Sequence, residues 1–162
     1  MYAAFGSKER LFKEAVQLYT KMQNHLLEPM TSKSTAREAV EALLMGIADA
    51  FSQAHKPHGC LVILGAINSG RGSKRVQESL RDQRALRQKL ILERLQRGVT
   101  EGDIAPEVDL KSMAIFYSTV MNGLAIEARD GAMRKELRTI VESAMTAWDA
   151  LVMRRNLSQT SQ

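Results

Sequence analysis

Three side chains that could do chemistry come close together in "HKPHGC": His55, His58 and Cys60. Imidazole and thiolate are ligands a transition metal accepts. The spacing His-x-x-His-x-Cys matches no zinc or copper pattern, however, and no second ligand-rich cluster accompanies it. The segment therefore reads as a turn between helices with its histidines partly exposed, and no metal is expected. Cys60 opens an apolar helix, where a thiol pKa can fall, yet no motif pairs it with a base. As the single cysteine of the chain it cannot form an internal disulfide, which agrees with a reducing compartment. It is expected to be a buried thiol. "NSGRGSK" lacks the spacing of a phosphate-binding loop and has no strand before it, so it too reads as a turn. No group falls into a named catalytic role, and an enzyme is not expected.

Charge offers a second kind of chemistry. The net charge is +5, and the stretch from Arg71 to Arg97 carries nine basic residues against three acidic ones. Such a stretch can attract phosphate, anionic ligands or anionic lipid. Its plain structural role is a solvated helix face.

The elements that must position these groups are helical nearly throughout. Length, 162 residues, suits one domain, and 44% hydrophobic with 25% charged residues is ordinary globular composition. No window approaches the roughly 18 apolar residues of a membrane span, and no secretory signal opens the chain. A cytoplasmic protein without membrane partners is expected. Leu11, Phe12, Ala15, Val16, Tyr19, Met22 and Leu26 recur every three or four residues, which predicts a helix from Ser7 to the Glu28-Pro29 step. Thr35 and Glu38 fit a capping box opening a helix to about Ala54. A short apolar helix follows the Pro-His-Gly break, then a long one with a narrow apolar stripe from Val76 to Val99. Asp109 is the expected N-cap of a helix apolar over a wide arc, expected to be buried on two faces. Gly131 stops it, and a last helix runs from about Met133 to Met153. The fold class is all-α, with about six helices.

The opening stretch "MYAAFGSKERLF" is similar to the end of the recognition helix and the start of the next helix in the tetracycline-repressor (TetR) family. Tyr2, Phe5, Gly6, Ser7, Lys8, Glu9, Leu11 and Phe12 match that pattern. "GCLVILGAIN" and "EGDIAPEVDLKSMAIFYSTVMNGLAIEARDGA" resemble the regulatory domain of one branch of the family. The resemblance implies a ligand-responsive transcriptional regulator, most simply a repressor, acting as a homodimer. Its helix-turn-helix head reads operator DNA and its helical body binds a small-molecule effector. It implies a remnant of the recognition helix at 1–6, a ligand-binding and dimerisation domain at 7–155 and a frayed tail at 156–162. Most of the head would lie upstream of Met1, so operator binding is expected only where that head is present. Tyr2 and Lys8 occupy positions that touch DNA phosphates, contacts that orient without reading sequence.

Nine methionines suit a pocket accepting varied apolar shapes. Met22, Met45, Phe51, Met113, Phe116, Tyr117 and Asn122 lie on helices that, the resemblance implies, form the pocket, and of these Tyr117 and Asn122 are the polar groups expected to orient a ligand. The last two helices are the expected dimer interface, through Met121, Leu124, Leu137, Val141, Ala144, Met145 and Trp148. No cofactor is expected. The competing class is a helical adaptor or anionic-ligand carrier that uses the basic helix without acting on DNA.

Overall fold

The computed structural model describes residues 8–53, 58–68 and 74–154, and every regular element in them is a helix. Tyr2, Phe5 to Ser7, His55, Arg71 and the 1–6 and 156–162 segments lie outside the described residues. In chain order the elements are α1 (Lys8–Met22), a 3₁₀ turn (Asn24–Leu27), α2 (Pro29–Ser32), α3 (Ala36–Phe51), α4 (Leu61–Asn68), α5 (Lys74–Glu101), α6 (Leu110–Arg129), α7 (Arg134–Thr146) and α8 (Trp148–Val152).

The helix ends written in the sequence form as local chemistry dictates. Thr35 Oγ1 accepts the Glu38 amide at 3.2 Å, and the Glu38 carboxylate accepts the Thr35 amide at 3.2 Å, so α3 opens on a complete capping box. Asp103, from the loop after α5, also accepts the Ala36 amide. At α6, Asp109 accepts both the amide and the hydroxyl of Ser112, at 3.1 and 2.6 Å. These bonds, the hydroxyl's foremost, hold the Asp109 carboxyl below its usual range. Gly131 ends α6 with φ at +104°, and the Ala132 amide reaches back to the Glu127 carbonyl at 2.9 Å.

Two boundaries differ from expectation. The first helix stops at Met22 instead of reaching Glu28. There the Gln23 amide is shared between the Tyr19 and Thr20 carbonyls, and the chain tightens into the 3₁₀ turn. Pro29 does not end a helix but begins α2, because a residue without an N–H costs nothing in a first turn. The last helix is broken at Ala147, whose amide turns back to the Ala144 carbonyl. After that break Trp148 is buried against Tyr117, with ring centroids 5.7 Å apart.

Helix α3 lies at the centre, packed by α5, α6 and α7. Its Val40, Leu43, Leu44, Ile47 and Phe51 side chains are buried among Ile91 and Leu95 of α5, Tyr117 and Leu124 of α6, and Leu137 and Val141 of α7. Helix α4 sits against α5 and α6, and Cys60 before it is fully buried. Gly59 permits that seating: its φ is +88°, and a Cβ there would lie 2.6 Å from the Ala125 carbonyl oxygen.

The basic helix is not uniformly a solvated face. Arg94 is 97% buried, its guanidinium donating to the Lys33 and Ser34 carbonyls at 3.3 Å each and pairing with Glu101 at 3.5 Å. It ties the α2–α3 connection to α5. Within this chain helix α6 buries one broad face and leaves Ile115 and Ile126 exposed on the other.

Candidate functional site

A cavity of about 80 Å³ lies where the irregular exit of α1 meets α3 and α5. At about 10–15 Å³ for each water, that is room for roughly five to eight water molecules. Leu43, Ile47 and Phe51 of α3 and Met121 of α6 supply its apolar floor. Tyr19 and Thr20 close it from α1, Gln23 from the step after it, Leu26 and Leu27 from the 3₁₀ turn, and Leu86, Arg87 and Leu90 from α5. The break at Met22 is what brings both Gln23 and Leu26 to the same wall.

The polar groups converge at the α1–α5 side. Arg87 Nη1 donates to Cys60 Sγ at 3.1 Å. The Tyr19 phenol hydrogen-bonds to the same thiol, and burial, with Cys60 next, drives its pKa well above the usual phenol value. Tyr19 is therefore a neutral donor at physiological pH. Thr20 bonds its hydroxyl to the Val16 carbonyl at 2.8 Å and approaches Gln83 at 3.5 Å. Gln23 leaves Oε1 buried and without a hydrogen-bond partner. A site of this kind, apolar with a few directed polar groups, is suited to orienting a small organic molecule.

Of the sequence-derived pocket candidates, Phe51 lines this cavity. Met22 is two-thirds exposed and Met45 is half-buried at the margin of the core. Met113 and Tyr117 lie within the core, and Phe116 stacks edge-on to Tyr117 with centroids 5.0 Å apart. Asn122 is half-buried; its Oδ1 and the Tyr117 hydroxyl are both buried without partners. Tyr19, Gln23 and Arg87 were not singled out from sequence. Tyr19 sits in the α1 apolar stripe and Arg87 in the basic run, and neither pattern announces a shared wall.

The seven residues expected between subunits all have less than a tenth of their surface exposed in the single chain: Met121, Leu124, Leu137, Val141, Ala144, Met145 and Trp148. They hold α6, α7 and α8 to their own core, and Met121 also lines the cavity. The apolar surface that α6 leaves open is Ile115, half of whose surface is exposed, and Ile126, with Gly123 between them. Thr139 and Ser143 are exposed on α7. The Lys8 side chain lies outside the described residues, as does Tyr2. No helix of the described residues is long and apolar enough to cross a membrane.

The sequence matches the family described as "Tetracyclin repressor-like, C-terminal domain" over residues 36–132. It is 25% identical over 154 residues to the HTH-type transcriptional repressor ComR of Escherichia coli (strain K12), covering 94% of this chain and 73% of that protein. Among solved structures it is similar to the TetR family transcriptional regulator CifR, in a cysteine-mutant form complexed with 26bp double-strand operator DNA. That likeness has a TM-score of 0.86 and 38% identity, over 91% of this chain and 78% of that one. A putative TetR transcriptional regulator from Rhodococcus sp. RHA1 is similar with a TM-score of 0.63 and 29% identity, over 96% and 80% of the two chains.

Proposed function

Because this chain belongs to the tetracycline-repressor (TetR) family of transcriptional regulators, we infer that the described helices are its effector-sensing and pairing body. The fold is that of regulators and not of enzymes, and in this reading the body acts by binding, without turning over a substrate. Operator DNA is the partner of the helix-turn-helix, to which Tyr2 and Lys8 contribute phosphate contacts, and the protein works in the cytoplasm, where the operator is. Residues 7–155 form the body, and 1–6 belong to the recognition helix.

The observation that carries the sensing role is the cavity beneath α1. A molecule occupying it touches α1, the 3₁₀ turn, α3 and α5 at once, so occupancy couples directly to the placement of the helix that follows the DNA-reading unit. Differential binding to two placements of α1 is all that a switch requires. Benzyl alcohol, small, neutral and amphipathic, is a suitable probe. It should raise the Tm of the wild-type chain, and filling the cavity with Ile47→Trp should remove that rise; a rise unchanged by Ile47→Trp overturns the cavity as the sensing site.

Pairing is through the outward faces of α6 and α7, two helices from each copy forming a four-helix bundle about a two-fold axis. Gly123 supports this. It stands mid-helix on the open face of α6, where glycine costs about 1 kcal/mol relative to alanine. A Cβ there would meet nothing within 4 Å in its own chain. Close approach of a second copy supplies the reason the chain itself lacks.

A further inference from the structure

We propose that the effector is a compact organic anion, a carboxylate with an apolar body, whose charged end is held by the Arg87 guanidinium. This rests on the reading of the cavity as the effector site and adds the chemistry of what enters it. Arg87 is the single charged residue among the cavity's lining residues; no carboxylate, lysine or histidine shares the wall.

Its state differs from that of most other half-buried or buried arginines in the body. Arg94 and Arg97 pair with Glu101, and Arg138 pairs with Asp49. Among the described residues no carboxylate comes within ion-pair distance of Arg87, and its hydrogen bond goes to a thiol. Cys60 sulfur is a weak acceptor. The neighbouring Tyr19 cannot serve as a counter-anion, because burial keeps its phenol protonated. Arg87 thus lines an apolar chamber with no carboxylate paired to it among the described residues. Planar guanidinium and carboxylate match in geometry, and charge-assisted bonds are about twice as strong as neutral ones.

The remaining polar groups refine the class. The buried, unpartnered Oε1 of Gln23 is an acceptor on the same wall. A hydroxyl or amide N–H on the ligand would complete Gln23. Leu43, Ile47 and Phe51 take the apolar body. A cationic amphiphile of the same size meets a like charge and no counter-charge, and is disfavoured.

Calorimetric titration of the whole chain at constant ionic strength with benzoate, benzamide and benzylammonium tests this, since the three share size and differ in charge. Benzoate should bind at least about tenfold more tightly than benzamide, and benzylammonium most weakly. Arg87→Gln should bring benzoate down to the benzamide level measured on the same variant. Arg87→Lys should keep part of the preference, and Arg81→Gln, an exposed cation on the same helix, should keep all of it. Equal binding of benzoate and benzamide, or a preference that survives Arg87→Gln, overturns the anion and leaves the cavity standing. Failure of all three probes, and of benzyl alcohol, overturns the cavity reading and the inference with it.

Discussion

Asp49 on α3 and Arg134 at the start of α7 form a two-pronged ion pair, Nε to Oδ1 and Nη2 to Oδ2, both at 2.8 Å. Arg138, one turn further on, reaches the same carboxylate at 3.0 Å. The clasp fixes α7 against the central helix at the end opposite Trp148. It joins two elements 85 positions apart in sequence, so it is a tertiary fastening and not a helix-surface pair.

That clasp makes stability depend on acid. Hydrogen bonding from Arg134, foremost, and from Arg138 lowers the Asp49 pKa below its ordinary 3.8. Since the folded value lies below the unfolded one, the contribution is full above about pH 4 and is lost as the pH falls through the folded value. Exposure of the arginines keeps the effect small. Asp49→Asn should lower Tm by roughly 2 °C at neutral pH, and the gap between variant and wild type should close as the pH falls toward 2. A gap that persists at that pH would place the loss in packing instead.

The proposed pairing through the outward faces of α6 and α7 separates two kinds of variant. Ile115→Glu combined with Ile126→Glu should yield a monomer in sedimentation velocity that keeps the helical far-UV spectrum. Val141→Asp places a carboxylate at a fully buried site, at a cost of roughly 3–5 kcal/mol, and should unfold the chain and not merely dissociate it. A folded, monomeric Val141→Asp would show that this residue faces a partner.

Glycine conformation at two positions gives an internal comparison. Gly59→Ala meets both a left-handed backbone and the Ala125 carbonyl oxygen at 2.6 Å, whereas Gly131→Ala meets the backbone strain alone. Each should pay about 1 kcal/mol for conformation. Gly59→Ala should lose clearly more, read as the larger fall in Tm. Equal losses would mean that α4 slides off α6 without resistance.

The Tyr117 hydroxyl is buried with no partner, and burial raises its pKa well above the ordinary phenol value. Tyr117→Phe removes a polar group that makes no bond, so Tm should stay within about 2 °C of wild type and move upward if at all. The aromatic contacts with Phe116 and Trp148 survive the change. A fall of several degrees would reveal a bonded hydroxyl.

What was legible in the sequence was what is local. Thr35 with Glu38, Asp109 and Gly131 are each decided within four residues, and α3 and α6 lie where periodicity placed them. The cavity was not legible in this way, because Tyr19, Phe51, Arg87 and Met121 come from four helices and meet only after the chain breaks at Met22. The proposed pairing face was obscured for a different reason. Apolar residues recur on both sides of α6, and periodicity does not distinguish the side that Leu124 buries at home from the side where Ile115 waits. Arg94 and Arg87 make the same point for charge: one basic run contains a buried structural tie and a cavity wall.

The modest size of the cavity separates affinity from efficacy. A molecule small enough to enter without moving the 3₁₀ turn or α1 favours the resting arrangement, and therefore displaces nothing however tightly it holds. One that overfills the space spends part of its binding free energy on pushing those segments aside, so it binds more weakly and switches more completely. Close-fitting occupants would then act as antagonists of larger congeners, and ranking compounds by affinity alone would select the wrong ones.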